Sequence, residues 1–305
     1  ATLRDWVARR GAGEPLQYIT GEVAFRHIAV KVREGVLIPR PETEVLVSEA
    51  LALLPAPERR RALDSTLTVD EFEELQAEAA AKADLEASGV VDGALPGQDG
   101  ARGVGDEVER VADATIEASR EEADSSCDDV LYVADICTGS GCIACSIAFE
   151  NPKTRVLACD IAPEAIALAK ENVAALNLEK HVAVLKGDLG APVGDRFMGK
   201  LSLVVSNPPY IPTQVLDSMP TEVTEHEPEL ALDGGCDGLD LYRPLATWAI
   251  RALAAGGGFA VELHETCLDA AATFAESCGF TDVRIVDDLA GRPRVLTARK
   301  PNVVA

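Results

Sequence analysis

Two adjacent prolines, Pro208 and Pro209, close the apolar run Leu201-Ser202-Leu203-Val204-Val205-Ser206, and they constrain the fold more tightly than anything else in the chain. The run has the length and β-branched content of a buried strand. The prolines bring no N–H with which to continue a ladder or start a helix. The chain therefore has to leave the sheet at Asn207. That places a carboxamide, stiff backbone carbonyls and the Tyr210 ring at the carboxyl end of a strand, where open α/β sheets bind their ligands. Such a group set suits a planar, amide-like nitrogen: the Asn207 side-chain oxygen and the Pro208 carbonyl each accept one N–H, and Tyr210 packs on the flat face. No metal is implied. Taken alone, the tetrapeptide also reads as an ordinary polar turn.

A second signal lies upstream. Val130 to Asp135 reads as a strand, Cys137-Thr138-Gly139-Ser140-Gly141 as a tight glycine turn, and Cys142 to Phe149 as the start of a helix. This strand, loop and helix unit lets backbone approach a nucleotide-like ligand. Arg155 to Cys159 follows as a second strand ending in Asp160, about twenty residues on, the spacing at which a carboxylate accepts ribose hydroxyls. A third strand, His181 to Gly187, ends in Asp188 and Leu189, placed for an adenine amino group and ring face. With Asn-Pro-Pro-Tyr after the next strand, the pattern points to an S-adenosylmethionine (AdoMet) methyltransferase acting on a planar nitrogen.

Charge narrows the substrate. The net charge is −23, and residues 56–130 carry 21 acidic side chains against 7 basic ones, hence −14 of that total. Neither part of the chain offers the basic stripe that phosphate binding requires, so free DNA or RNA is a poor candidate. No run of eighteen or more apolar residues occurs and no basic-then-apolar leader opens the sequence, so a cytoplasmic protein without a membrane span is expected. The eight cysteines are scattered through apparent core elements, and Cys142-x-x-Cys145 has no second pair at ligand spacing. They read as reduced, structural residues.

Three segments are expected. Residues 1–55 hold a short helix (Leu3, Trp6, Val7) ended by Gly11, Gly13 and Pro15. A hairpin follows, Val23–Phe25 against Ile28–Val32, then a rigid Ile38-Pro39-Arg40-Pro41 turn into a helix reaching about Leu54. Residues 56–128 form an acidic insert: a helix from Thr68-Val69-Asp70-Glu71, which has capping-box spacing, to about Ser88; a connector with five glycines from Gly93 to Gly105; and a second amphipathic helix through Val104, Val108, Val111 and Ile116. Disorder throughout is the alternative for this insert. From 129 to 305, strands near 130–135, 155–160, 181–187, 201–206, 257–263, 281–287 and 294–299 alternate with helices. The expected fold is a seven-stranded, Rossmann-like, mostly parallel α/β sheet whose final strand returns antiparallel.

These residues resemble the protein-(glutamine-N5) methyltransferases that modify class 1 peptide chain release factors, the HemK/PrmC group. The resemblance covers residues 14–54 and 129–300. It rests on Gly13-Glu14-Pro15-Leu16-Gln17-Tyr18-Ile19-Thr20-Gly21, Leu37-Ile38-Pro39-Arg40-Pro41-Glu42-Thr43-Glu44, the 135–141 loop, Asn207-Pro208-Pro209-Tyr210, and Glu227-Pro228 with Ala231-Leu232 and Gly238-Leu239. Asn-Pro-Pro-Tyr is shared with adenine-N6 methyltransferases; the Ile-Pro-Arg-Pro-Glu-Thr-Glu run is more specific. The resemblance implies that residues 137–141, Asp160, Leu189 and Asn207 contact AdoMet and that residues 207–210 hold the substrate glutamine. Cys137 stands where the family loop has its first glycine. Only residues 1–20 correspond to an N-terminal helical bundle that grips the protein substrate, and the 56–128 insert is an addition to the pattern.

The chemistry implied is positional. An amide nitrogen is a poor nucleophile because its lone pair is delocalised, and fixed acceptors on both N–H bonds aim that lone pair at the methyl group. Asn207, Pro208 and Tyr210 carry this role, while Glu42, Glu227 and Glu262 are caps, structural acids or later proton acceptors. The competing readings are a ribosomal-protein glutamine, an adenine in nucleic acid, which needs base extrusion and a cationic groove, and a binding protein with a vestigial cofactor site.

Overall fold

The computed structural model describes residues 2–54, 69–87, 130–216, 219, 223 and 226–302. They fall into two compact units, residues 1–65 with 131–305, and residues 66–130. The first unit opens with helix α1 (Leu3–Gly11), capped by the Thr2 hydroxyl and answered by the Asp5 carboxylate, which accepts the Thr2 N–H at 2.7 Å. The glycines end α1 as expected, but Pro15 then opens a second short helix, α2 (Leu16–Thr20), which the sequence reading did not foresee. Proline's fixed φ suits a helix start as well as a stop. The hairpin follows as β1 (Glu22–Phe25) and β2 (Ile28–Lys31), and then α3 (Pro41–Leu53), with Pro41 at its first position and Glu42 and Glu44 in its first turn. In the second unit, α4 (Val69–Ala87) is the helix expected after Thr68, with Phe72 and Leu75 buried. The glycine-rich connector and the second insert helix lie outside the described residues.

The sheet has seven strands: β3 (Leu131–Ile136), β4 (Thr154–Asp160), β5 (Val182–Lys186), β6 (Leu201–Ser206), β7 (Leu253–Glu262), β8 (Thr281–Asp287) and β9 (Pro293–Arg299), in the spatial order β5-β4-β3-β6-β7-β9-β8. Every pairing from β5 to β7 is parallel; β9 returns antiparallel and inserts between β7 and β8. The expected mostly parallel sheet with an antiparallel last strand is therefore present. Central strands such as β3 and β6 are buried along their whole length, which is why they read as unbroken apolar runs rather than as alternating ones. β8 is the exposed edge, and Asp282, Arg284 and Asp287 discourage further pairing there. Strand β7 begins four residues before the expected 257 because Leu253 pairs with Leu201, an irregularity in the register separating that pair from Leu203 and Gly258. Gly258 also gives α3 room, since a Cβ there would meet Leu53 Cβ at 2.6 Å.

Helices α5 (Cys142–Glu150), α6 (Pro163–Ala175), α7 (Tyr242–Ala252) and α8 (Leu268–Ser277) complete the layers. One hydrophobic core runs through hairpin, α3, α5, α6 and sheet, from Phe25 and Val30 through Leu46 to Val205. The hairpin and α3 thus share their core with the sheet, while Tyr18, Val32 and Ile38 form a separate cluster. Polar ties fix the hairpin more exactly than apolar packing alone. The Arg26 guanidinium grips Glu150 with two bonds of 2.6 and 2.7 Å and donates to the Glu44 carbonyl at 2.8 Å. Buried Asn172 of α6 pairs with the β2 backbone as another strand would, accepting the Lys31 N–H at 2.7 Å and donating to its carbonyl at 3.1 Å.

Asp135, near the end of β3, is wholly buried and holds the turn that follows: Oδ2 accepts the Thr138 hydroxyl at 2.5 Å and the Ala144 N–H at 3.1 Å. Burial pushes its pKa from 3.8 up to about 7, against the lowering effect of those two bonds. Between these values the folded chain holds a proton that the unfolded chain has lost, so this group's stabilisation is present at low pH and disappears as pH rises through about 7. In thermal melts from pH 4.5 to 8, the parent is expected to lose several degrees more than Asp135→Asn, whose side chain does not titrate. Parallel pH profiles for the two would show that Asp135 ionises normally.

Candidate active site

Strand order reverses at β3. β4 and β5 lie on one side, β6 and β7 on the other, so a crevice opens where the chain leaves β3 and β6. The two ends are locked in register, Ile136 beside Ser206, with the Ser206 hydroxyl donating to the Ile136 carbonyl at 2.6 Å. A cavity of about 250 Å³ runs along this crevice, and among its walls are Cys137 to Ser140, Asp160, Asp188, Leu189, Asn207 and Pro209. Eight of the nine residues expected to hold a cofactor line it. The ninth, Gly141, sits behind the loop at φ +80°, where a Cβ would press on Ala169 of α6 at 3.2 Å. Its contribution is close helix approach.

Each loop residue is held for a visible reason. Cys137 occupies the left-handed region at φ +60°, a strained conformation for a residue with a Cβ. Burial pushes its thiol pKa upward, with Asp160 and Asp135 adding to the effect. The Gly139 N–H donates to Asp160 Oδ2 at 2.8 Å, and the Ala162 N–H to Oδ1 at 3.0 Å. Each Asp160 oxygen thus keeps a lone pair for a further donor, the requirement for receiving a diol. Burial raises the Asp160 pKa, partly offset by those backbone bonds. The Ser140 carbonyl accepts from Asn172 Nδ2 at 2.9 Å, which couples the loop to the hairpin. Leu189 is also left-handed, at φ +44°. The turn it makes rests on Trp248 of α7, whose ring fills the space a Cβ on Gly190 would occupy. Trp248 and Asn172 were not foreseen: one is an aromatic on an amphipathic helix, the other a polar residue inside one, and neither pattern identifies its partner.

A second cavity, of about 600 Å³, shares Leu37, Ile38, Arg40, Asn207 and Ala231 with the first and adds Gln17, Glu42, Tyr210, Glu227 and Arg292. Asn207 stands where the two meet. Its Nδ2 donates to the Thr43 hydroxyl at 3.2 Å, which leaves Oδ1 as the free acceptor. The Tyr210 hydroxyl donates to Glu262 Oε1 at 2.9 Å, and burial lifts the phenol pKa well above its ordinary value. Pro209 faces the first cavity. Pro208 is buried and lines neither cavity, and its carbonyl accepts no hydrogen bond among the described residues. The loop carrying these groups is stapled from below: Ile211 N–H bonds the Leu232 carbonyl at 2.9 Å and Gly234 N–H bonds the Ile211 carbonyl at 2.8 Å. A Cβ on Gly234 would strike the Tyr210 backbone at 2.6 Å. Of the three acids read as possible proton acceptors, Glu227 is paired with Arg40 through bonds of 2.8 and 2.7 Å, Glu42 pairs with Arg292 at 3.3 Å, and Glu262 is buried under Tyr210.

A glycine turn, a strand-end carboxylate and a carboxamide loop on a reversed parallel sheet define an α/β methyltransferase, and residues 126–226 match the methyltransferase small domain. The release factor glutamine methyltransferase of Caulobacter vibrioides is 34% identical over 98% of this chain and 78% of its own length. That of Moorella thermoacetica is 34% identical over 98% and 80%, and that of Streptomyces coelicolor 33% over 97% and 80%. The chain belongs to the release factor glutamine methyltransferase family.

Asp160→Ala is expected to weaken AdoMet binding by roughly tenfold to a hundredfold, the worth of one or two hydrogen bonds to a charged acceptor. The ionised carboxylate is the form able to accept two ribose hydroxyls, and burial raises the pKa of the free group. Parent affinity should therefore fall as pH is lowered into that raised range, while the variant's stays flat. Titration calorimetry at several pH values measures both effects; equal affinities would remove Asp160 from the cofactor site.

Proposed function

We propose that the protein transfers a methyl group from AdoMet to the side-chain amide nitrogen of the glutamine in the Gly-Gly-Gln motif of class 1 peptide chain release factors, in the cytoplasm. The observation that carries this reading is the Asn207 carboxamide, which stands between two cavities with its N–H₂ end tied to Thr43 and its oxygen free. Family membership gives the reading its substrate. AdoMet supplies, when bound, an electrophilic methyl on a sulfonium.

The crevice chemistry fits that cofactor. Asp160 offers two partly satisfied carboxylate oxygens for a ribose, Asp188 and Leu189 offer an acceptor and an apolar face for adenine, and residues 137–140 offer a backbone cradle. On the substrate side, Asn207 Oδ1 accepts one amide N–H and the Tyr210 ring packs on the flat face; the Pro208 carbonyl, uncommitted but on a residue that lines neither cavity, is the acceptor proposed for the other N–H. Two fixed acceptors on one nitrogen leave its lone pair a single direction. Positioning of this kind is worth about 7–11 kcal/mol of barrier, and preorganised dipoles add to it. No base has to act first, because the nitrogen proton becomes acidic only once the new N–C bond has formed.

Asn207→Ala is expected to lower turnover on release factor by a hundredfold or so, as removal of an oriented active-site hydrogen-bonding group does. Most AdoMet affinity should remain, since Asn207 is one of many walls of that cavity. Initial rates with tritiated AdoMet, beside calorimetry, separate the two effects; near-parental turnover would remove Asn207 from the chemistry.

Residues 56–128 are proposed to be an acidic insert between an N-terminal segment (1–55) and the catalytic segment (129–305). The −14 carried by residues 56–130 suits docking on basic surface of the protein substrate, an attraction that salt weakens. Replacing 57–127 by a short Gly/Ser linker should leave AdoMet binding intact while raising KM for release factor and flattening its salt dependence. Loss of AdoMet binding would make the insert structural, and unchanged salt dependence would end the docking idea.

A further inference from the structure

Glu262 is the most deeply buried acid near the substrate cavity, and the chemistry proposed above assigns it no step. It lies at the end of β7 and is 1% exposed. Oε1 accepts from the Tyr210 hydroxyl at 2.9 Å, while Oε2 is buried without a hydrogen-bond partner among the described residues. A buried, half-satisfied carboxylate costs stability, so its presence calls for a function. Burial raises the Glu262 pKa, and the Thr43 hydroxyl, which faces the same carboxyl short of a full hydrogen bond, offsets part of that rise, as does Tyr210. Thr43 is itself buried in the first turn of α3, and its oxygen receives the Asn207 amide.

With Glu262 ionised and the Thr43 hydrogen given to it, donor and acceptor bookkeeping along this row has one solution. An ionised carboxylate is acceptor-only, and a hydroxyl has a single hydrogen to give. With its hydrogen turned toward Glu262, Thr43 can offer Asn207 only lone pairs. Asn207 must then present its N–H₂ end to Thr43, and its oxygen is left facing the cavities. The same carboxylate holds the Tyr210 ring. Both side chains that would contact a target amide are therefore oriented by one acid that does not reach the cavity wall.

We infer that Glu262 is a positioning residue: through Thr43 it decides which end of the Asn207 carboxamide meets the methyl acceptor, and through Tyr210 it sets the ring above it, so that the site accepts N–H donors. This rests on reading Asn207 as the acceptor of the target N–H. A glutamine at 262 would break the solution. Its N–H₂ can donate to Thr43, whose hydrogen then turns to Asn207, which answers by turning its oxygen inward and pointing N–H₂ at the substrate N–H₂. Two donors face each other, and the target amide is repelled.

The test uses Glu262→Gln, Thr43→Val and Thr43→Ser in the full chain, with kcat and KM for release factor, calorimetry with AdoMet, and the Asn207 side-chain ¹⁵N–¹H₂ signals. Those signals are assigned by their loss in Asn207→Ala. Glu262→Gln and Thr43→Val should each lower kcat by roughly tenfold or more, as loss of an orienting hydrogen bond does, with most AdoMet affinity retained. Thr43→Ser, which keeps the hydroxyl, should retain parental kcat. The Asn207 signals should shift and lose their cross-relaxation to residue 43 in the first two variants only. Parental kcat and unmoved Asn207 signals in Glu262→Gln would overturn the inference, as would equal impairment in Thr43→Ser and Thr43→Val. The spectroscopic arm needs no methyl acceptor. A parent inactive on release factor therefore refutes the proposed substrate, while the signals still decide the orientation.

Discussion

The parallel pairing of β3 with β6 is the constraint on which the rest depends. These are the two strands between which the strand order reverses, so no crossover helix covers the crevice beyond their carboxyl ends. Registering Ile136 against Ser206 brings the glycine loop and the Asn207 loop out of the sheet side by side. A one-residue slip would turn every side chain of β6 to the other face and carry Asn207 away from Thr138 and Asp160. The unbroken apolar character of both strands and the Ser206 bond to the Ile136 carbonyl hold that register.

Around this crevice the fold spends its polar groups on orientation. Asp135 shapes the turn after β3, Asn172 ties the loop carbonyl of Ser140 to the hairpin, and Glu262 holds Tyr210. All three are buried, and each belongs to an element supporting the site. Apolar packing fills space but tolerates small rotations, whereas a hydrogen bond in a low-dielectric interior tolerates few. The Arg40 and Glu227 pair acts in the same way. It joins the Ile38-Pro39-Arg40-Pro41 turn to Glu227-Pro228 from the far side of the chain, and both segments form walls shared with or adjoining the cofactor cavity.

Much of this was legible in the sequence because the signals are local. Pro208 and Pro209 can only end a strand, Gly139 and Gly141 can only make a tight turn, and Asp160 falls at a spacing set by one strand and one helix. The seven strands follow from such local rules, and so do seven of the residues that line the cavity of about 250 Å³, Asn207 being added to them by the family resemblance. What could not be read depends on contacts distant in sequence. Gly141 looks like a ligand-facing glycine until Ala169 is seen behind it, and Gly190 is unremarkable until Trp248 is found beneath it. Helix α2 was missed because Pro15 was read only as a stop.

Thr43 illustrates the limit most clearly. The run Ile38-Pro39-Arg40-Pro41-Glu42-Thr43-Glu44 reads as a rigid helix start, and its acids read as caps. In the folded chain it does three further things: Arg40 closes on Glu227, Glu42 meets Arg292, and Thr43 receives the Asn207 amide. A helix start has fixed geometry, so three side chains on its first turn leave in three known directions. That rigidity lets one short segment wall both cavities and hold the carboxamide between them. A looser turn at the same place could supply the same residues, but it could not hold Thr43 still enough to keep the Asn207 amide bonded to its hydroxyl.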